Sequence, residues 1–166
     1  MIRIAKVTDS FDIATIIVEG WKSAYTGMID EEYLKKMTVE NRTRRVMRSI
    51  LNQKEKSRYY IYQEEHETLG VIKFGLAEEK DSIYTAEVFI LYIKPENKNR
   101  GIGTKLLTFA KEELKKQGHE NMIIYCLKKN IASIKFYEKN GGKIVKERDL
   151  ETDNLILREV GLEYKL

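Results

Sequence analysis

A chain with one proline, one cysteine and two histidines in 166 residues leaves little room for several classes of protein. The scarcity of proline argues against a domain-joining linker or a low-complexity stalk. The lone cysteine, Cys126, has no partner for an internal disulfide, and its place in the apolar stretch Met122 to Leu127 reads as a small buried hydrophobe rather than a nucleophile. His66 and His119 fall in turn-like segments with no ligand partners at metal-binding spacing, so no metal is expected. No apolar run reaches the roughly eighteen residues of a membrane-spanning helix. Met1 leads into the alternating residues Ile2, Ile4 and Val7 rather than a leader, and the expectation is a soluble, cytoplasmic protein without a membrane partner. An excess of one charge is also missing: 30 basic and 26 acidic side chains leave +4, spread along the chain, which gives no basis for a nucleic-acid partner.

What is present suits one globular domain spanning residues 1–166, with 42% apolar and 34% charged residues. Ile2 to Val7 alternates as a strand does. Thr8, Asp9 and Ser10 then offer capping oxygens to a helix with Ile13, Ile16, Ile17, Trp21 and Ala24 on one face. Asp30 before two glutamates, and Thr38 before Val39, Val46 and Ile50, predict two short helices. Tyr59 to Gln63 and Thr68 to Leu76 read as paired strands turning at His66 and Glu67, with Gly70 and Gly75 as bulges. Ser82 to Ile93 is the longest strand expected, ending before Pro95. Beyond Gly103 a helix carries Leu106, Leu107, Ala110 and Leu114, and Lys111 to Lys116 reads as its solvated face with a Glu112–Lys116 pair. The strand Met122–Leu127, a short helix capped by Asn130 and two closing strands near Lys143–Arg148 and Leu155–Glu163 complete a mixed α/β pattern.

Between the long strand and the helix lies Lys98-Asn99-Arg100-Gly101-Ile102-Gly103-Thr104. At a helix start the first amides lack intrahelical acceptors and the dipole is positive, so a phosphate is attracted there. Glycines at 101 and 103 let the main chain approach an anion, and Lys98 and Arg100 add positive charge. The same letters also serve as a plain glycine turn. Two other phosphate motifs do not fit: Gly103-Thr104-Lys105 has the wrong order for a P-loop, and Leu106 and Leu127 stand where a dinucleotide fingerprint wants a small and an acidic residue.

The strand Ala86–Ile93, the loop Lys98–Gly103 and the segment Asn130–Gly142 together resemble the Gcn5-related N-acetyltransferase family, known as GNAT. The family's phosphate signature begins with Gln or Arg, and Lys98 departs from it by losing the guanidinium fork. The resemblance implies a splayed mixed sheet of about seven strands flanked by about four to five helices, and acetyl-CoA as cosubstrate without a metal. It also implies that the main chain of Leu91, Tyr92 and Ile93 pairs with the pantetheine arm, that Asn130 bonds or caps against that arm, and that Ser133 and Phe136 line the adenosine side.

Within that family Tyr137 stands where the acid that protonates the departing thiolate is found, although a helix-face tyrosine packed on the sheet has the same spacing. Glu87, fourteen residues before Gly101, is similar to the general-base glutamate of one branch. Strand parity puts it on a face with Phe89 and Leu91, and a salt-bridged edge carboxylate is the alternative. Trp21 and Tyr25, one helical turn apart, either wall an acceptor pocket or belong to the core. The expected activity is acetyl transfer to a small primary amine by direct attack. The alternatives are a protein N-terminus or lysine as acceptor, and a non-catalytic acyl-CoA sensor. Leu155, Ile156 and Leu157 suit either a homodimer contact or the core.

Overall fold

The structure is a computed structural model and describes residues 1–52, 56–78, 83–152 and 155–166. Its first boundary is set by Asp9. The carboxylate accepts the Lys6 amide at 2.6 Å and Nη1 and Nη2 of Arg3 at 2.8 and 2.9 Å. This turns the chain early, so β1 is only Ile2–Ile4 rather than running to Val7. Helix α1 (Ser10–Tyr25) follows and buries Ile13, Ile16 and Ile17 completely, each contributing roughly 1.5–3 kcal/mol of burial.

Both expected caps are found. Asp30 accepts the Glu32 and Tyr33 amides at the start of α2 (Glu31–Lys36), and Thr38 accepts the Asn41 amide at the start of α3 (Val39–Leu51). Strands β2 (Ser57–Glu64) and β3 (Glu67–Leu76) pair across Glu65 and His66, both with left-handed φ, one residue earlier than the expected turn. Strand β4 (Ala86–Ile93) leads through a single turn at Pro95–Asn97 to α4 (Ile102–Lys116). Residue 82, where that strand was expected to begin, lies outside the described residues. Strand β5 (Asn121–Leu127), helix α5 (Ile131–Lys139) and strands β6 (Lys143–Thr152) and β7 (Leu155–Lys165) complete the chain. Among the described strands β7, not β4, is the longest. Lys116 pairs with Glu113 at 2.7 Å instead of Glu112.

The seven strands form one sheet in the order β1-β2-β3-β4-β5-β7-β6, antiparallel except where β4 meets β5. One face carries α4 and α5 over Ile72, Val88, Met122, Ile124 and Leu162. The other carries α1 and α3 over Tyr59, Ile61 and Val71. A smaller cluster joins Tyr25, Ile29 and Leu34 to Leu127 and Leu157, so Leu157 is core while Ile156 faces outward.

Three register shifts interrupt the ladders among the described residues, one between Tyr62 and Gln63 against β3, one between Lys73 and Phe74 against β4 and one between Ile144 and Lys146 against β7. The first leaves Leu69, directly before Gly70, as the extra residue, so the expected bulge falls beside Gly70, and none is centred on Gly75. Both glycines also allow close approach: Gly70 backs onto Ile93, Ile102 and Leu106, and Gly75 onto the Lys56 carbonyl.

Candidate functional site

Strands β4 and β5 pair only at Ala86–Met122, Glu87–Ile123 and Val88–Ile124. Beyond Val88 they part. The edge of Phe89–Ile93 that faces β5 then has no strand partner among the described residues, while β3 occupies the opposite edge. Leu91, Tyr92, Tyr125, Cys126, Ser133 and Tyr137 line the resulting wedge, together with Tyr25. An unpaired strand edge inside a cleft is a template for an amide-bearing ligand.

Helix α4 begins near Ile93, at the end of that unpaired edge, and near Phe136. Asn99 and Gly101 both take left-handed φ values, 63° and 77°, and the first intrahelical bond runs from the Lys105 amide to the Gly101 carbonyl at 3.0 Å. The amides of Ile102, Gly103 and Thr104 therefore have no backbone acceptor among the described residues. A Cβ at residue 101 would meet nothing within 4 Å, so this corner is open to an anion. These features fit a diphosphate.

The side chains of the loop also have protein neighbours. A Cβ at Gly103 would lie 3.0 Å from Phe136 Cζ, so packing also favours a glycine there. Phe136 in turn packs against the core and stands edge-on to Tyr137. The two charges of the loop already have protein partners: Lys98 Nζ donates to Ser23 Oγ at 3.2 Å, and Arg100 donates to Glu64 at 2.9 Å. Glu64 also accepts the Tyr62 hydroxyl, which accepts from Lys105 at 3.3 Å, so these side chains brace the loop against β2.

Inside the wedge, Asn130 caps α5 by accepting the Ser133 amide at 3.1 Å. Tyr25 and Tyr92 line the same wedge, and burial pushes the Tyr25 phenol up, with Asn130 and Tyr92 opposing the shift. Of the aromatic pair on α1, Tyr25 thus reaches the wedge, whereas Trp21 packs between two core clusters with its ring 4.6 Å from that of Tyr25. Tyr137 is buried, and its carbonyl accepts the Tyr164 hydroxyl at 2.8 Å. Burial pushes its phenol well above the ordinary range, with Cys126 and Tyr25 adding to the effect. The hydroxyl therefore stays protonated near neutral pH. Burial likewise pushes the Cys126 thiol up to about 12, which leaves it inert as a nucleophile.

Glu87 lies on the opposite face of the sheet from Val88. The expected parity with Leu91 fails because the register shift makes Lys73 oppose Ile90 while Phe74 opposes Val88, leaving Phe89 as an extra residue. Leu91 consequently joins the α4 side, and Ile90 and Tyr92 join the α1 side with Glu87. Glu87 is 6% exposed, and burial above all pushes its carboxyl up to about 7, with Glu78 and Glu159 raising it further and Arg148 opposing. A carboxyl that changes charge near neutral pH suits proton transfer.

The residues around Glu87 escape a reading of β4 alone. Glu159 on β7 is almost buried and accepts from Arg148 Nε at 2.9 Å, while the Arg148 guanidinium lies 3.3 Å over the Tyr125 ring. A glutamate directly before the buried Val160 was the available signal for this group.

Residues 21–142 match the acetyltransferase (GNAT) family. The chain is 28% identical over 164 residues to the uncharacterized N-acetyltransferase YuaI of Bacillus subtilis, covering 98% of this chain and 91% of that protein. It is 27% identical over 143 residues to a spermidine N(1)-acetyltransferase of Thermoplasma acidophilum, covering 86% of this chain and 88% of that one. Its fold matches the crystal structure of the PaiA N-acetyltransferase of Thermoplasma acidophilum in complex with coenzyme A, with a TM-score of 0.81, 25% identity and coverage of 100% and 98%.

Proposed function

The chain belongs to the acetyltransferase (GNAT) family and is an acetyl-CoA-dependent N-acetyltransferase; from that premise we propose that its acceptor is the primary amine of a small molecule, attacked directly while both substrates are bound. The reading rests above all on the parting of β4 from β5 after Val88, which leaves one cleft reached from both faces of the sheet. Acetyl-CoA, when bound, supplies an activated thioester. The α4 amides at Ile102–Thr104 would hold its diphosphate, and the free edge of Leu91–Ile93 its amides. Asn130 and Ser133 would border that arm, with Phe136 beside it.

On this reading Glu87 takes a proton from the incoming ammonium, and an ordinary ammonium near pKa 10 must lose one before it can attack. Tyr137 gives a proton to the departing sulfur. Tyr25 lines the acceptor side, and Trp21 supports it from the core. Glu78 and Glu159 both act electrostatically on Glu87, and carboxylates gathered on that side favour a cationic acceptor over a neutral one. The similarity to a spermidine acetyltransferase supports a polyamine-like substrate.

Thiol release from acetyl-CoA, measured against spermidine, an aminoglycoside, free amino acids and a lysine peptide, tests the proposal. Turnover with at least one small amine is expected. Turnover confined to the peptide, or none with any acceptor, would refute it.

A further inference from the structure

The arginines of this protein are distributed unevenly. Four of its nine lie within seven residues of α3, at positions 42, 44, 45 and 48. The other five each donate to a nearby oxygen: Arg3 to Asp9, Arg58 to the Ser57 carbonyl, Arg100 to Glu64, Arg148 to Glu159 and Arg158 to Asp149. Among the described residues, Arg44 is the one arginine of α3 with a carboxylate, Glu40 at 2.8 Å. Arg48 reaches no more than the Arg44 carbonyl at 3.4 Å, and Arg42 and Arg45 form no ion pair among the described residues. Like charges at helical i, i+3 and i, i+4 spacing, as in Arg42–Arg45 and Arg44–Arg48, repel and destabilise an isolated helix. Such a cluster is unfavourable without a counter-charge.

These side chains do not simply project from a convex helix face. Together with Lys36 and Tyr33 the four arginines line a groove of about 390 Å³ between α2 and α3, a size that accommodates a small ligand. Among the described residues no carboxylate lines it. The groove is not the coenzyme seat, because it shares no lining residue with the wedge between β4 and β5, and α4 packs on the other face of the sheet; Arg42 of the groove acts electrostatically on Tyr92 of that wedge.

We propose that the α2–α3 groove is a second, separate anion site that takes a small molecule carrying several phosphate groups. Guanidinium forks match phosphate oxygens bidentately, and five cations around one groove call for more charge than a single phosphate or carboxylate provides. Arg45 and Arg48 are exposed and contribute to no core cluster, so replacing them leaves the fold intact.

The test is calorimetry with inorganic tripolyphosphate on full-length protein already saturated with coenzyme A, so that the α4 seat is filled. One further binding event per chain is expected. The double substitution Arg45→Gln, Arg48→Gln should weaken it at least tenfold, with coenzyme A affinity, melting temperature and acetylation rate unchanged within twofold. Citrate should bind at least tenfold more weakly than tripolyphosphate. Absence of binding to the loaded protein, undiminished binding by the double variant, equal affinity for citrate, or preference for a short RNA at equal phosphate concentration would each overturn the assignment.

Discussion

Replacing Glu87 by glutamine should make the enzyme slower and sturdier at once. The folded carboxyl titrates at about 7 against an ordinary 4.5, because the protein disfavours its charged form. Its folded pKa is raised, so the folded state holds the proton more tightly than the unfolded chain. The stability difference is absent below about pH 4.5, grows against the folded state as the pH rises, and is complete above about 7. That gap corresponds to about 3 kcal/mol at pH 8. Glutamine stays neutral throughout, so Glu87→Gln should melt higher at pH 8, by roughly 6–12 °C for a chain of this size, and the two proteins should converge near pH 4. In the native enzyme, kcat/KM should rise about tenfold from pH 6 to pH 8 as the base ionises, and that limb should disappear in the variant with a large loss of rate. Thermal melts at pH 4, 6 and 8, with steady-state rates at pH 6 and 8, check both arms. A variant no more stable than the parent at pH 8 would refute the burial argument, and an unchanged pH profile would remove Glu87 from catalysis.

Tyr137→Phe should lower kcat about a hundredfold or more while coenzyme A affinity by calorimetry stays within twofold. Gly101→Val forces a branched residue into a left-handed conformation, costing roughly 1–2 kcal/mol, and places a side chain in the open corner; a loss of coenzyme A affinity beyond tenfold is expected in a titration, with a modest fall in melting temperature. Arg148→Gln removes the positive charge that opposes the shift at Glu87, so the acid limb of kcat/KM should move to higher pH, and a superimposable profile would exclude that coupling.

The local elements were legible because their chemistry is local. Asp30, Thr38 and Asn130 announce helix starts by side chains that bond amides two or three residues on, and the Leu106–Leu114 stripe shows its buried face by spacing alone. Gly101 was legible for a related reason, its conformation being a property of its own backbone. What escaped involves partners distant in sequence. The extra residue at Phe89 exists only because β3 sets the register of β4, and that one residue moved Leu91 to the other side from Glu87. The packing that also favours a glycine at Gly103 comes from Phe136, 33 positions away. The partners of Lys98 and Arg100, on α1 and β2, could not be inferred from the loop. Glu159 and Arg148 come beside Glu87 through strand order, which places β7 between β5 and β6.

The narrow join of β4 to β5 also bears on how the molecule holds together. Among the described residues three pairs make the whole ladder between the two halves of the sheet, while the neighbouring ladders β2–β3, β3–β4, β5–β7 and β6–β7 are long antiparallel runs. A coenzyme arm that hydrogen-bonds across the gap would act as additional rungs. Loading the cleft should then slow amide hydrogen exchange on both flanks of the seam, so that two partly independent folding units behave as one.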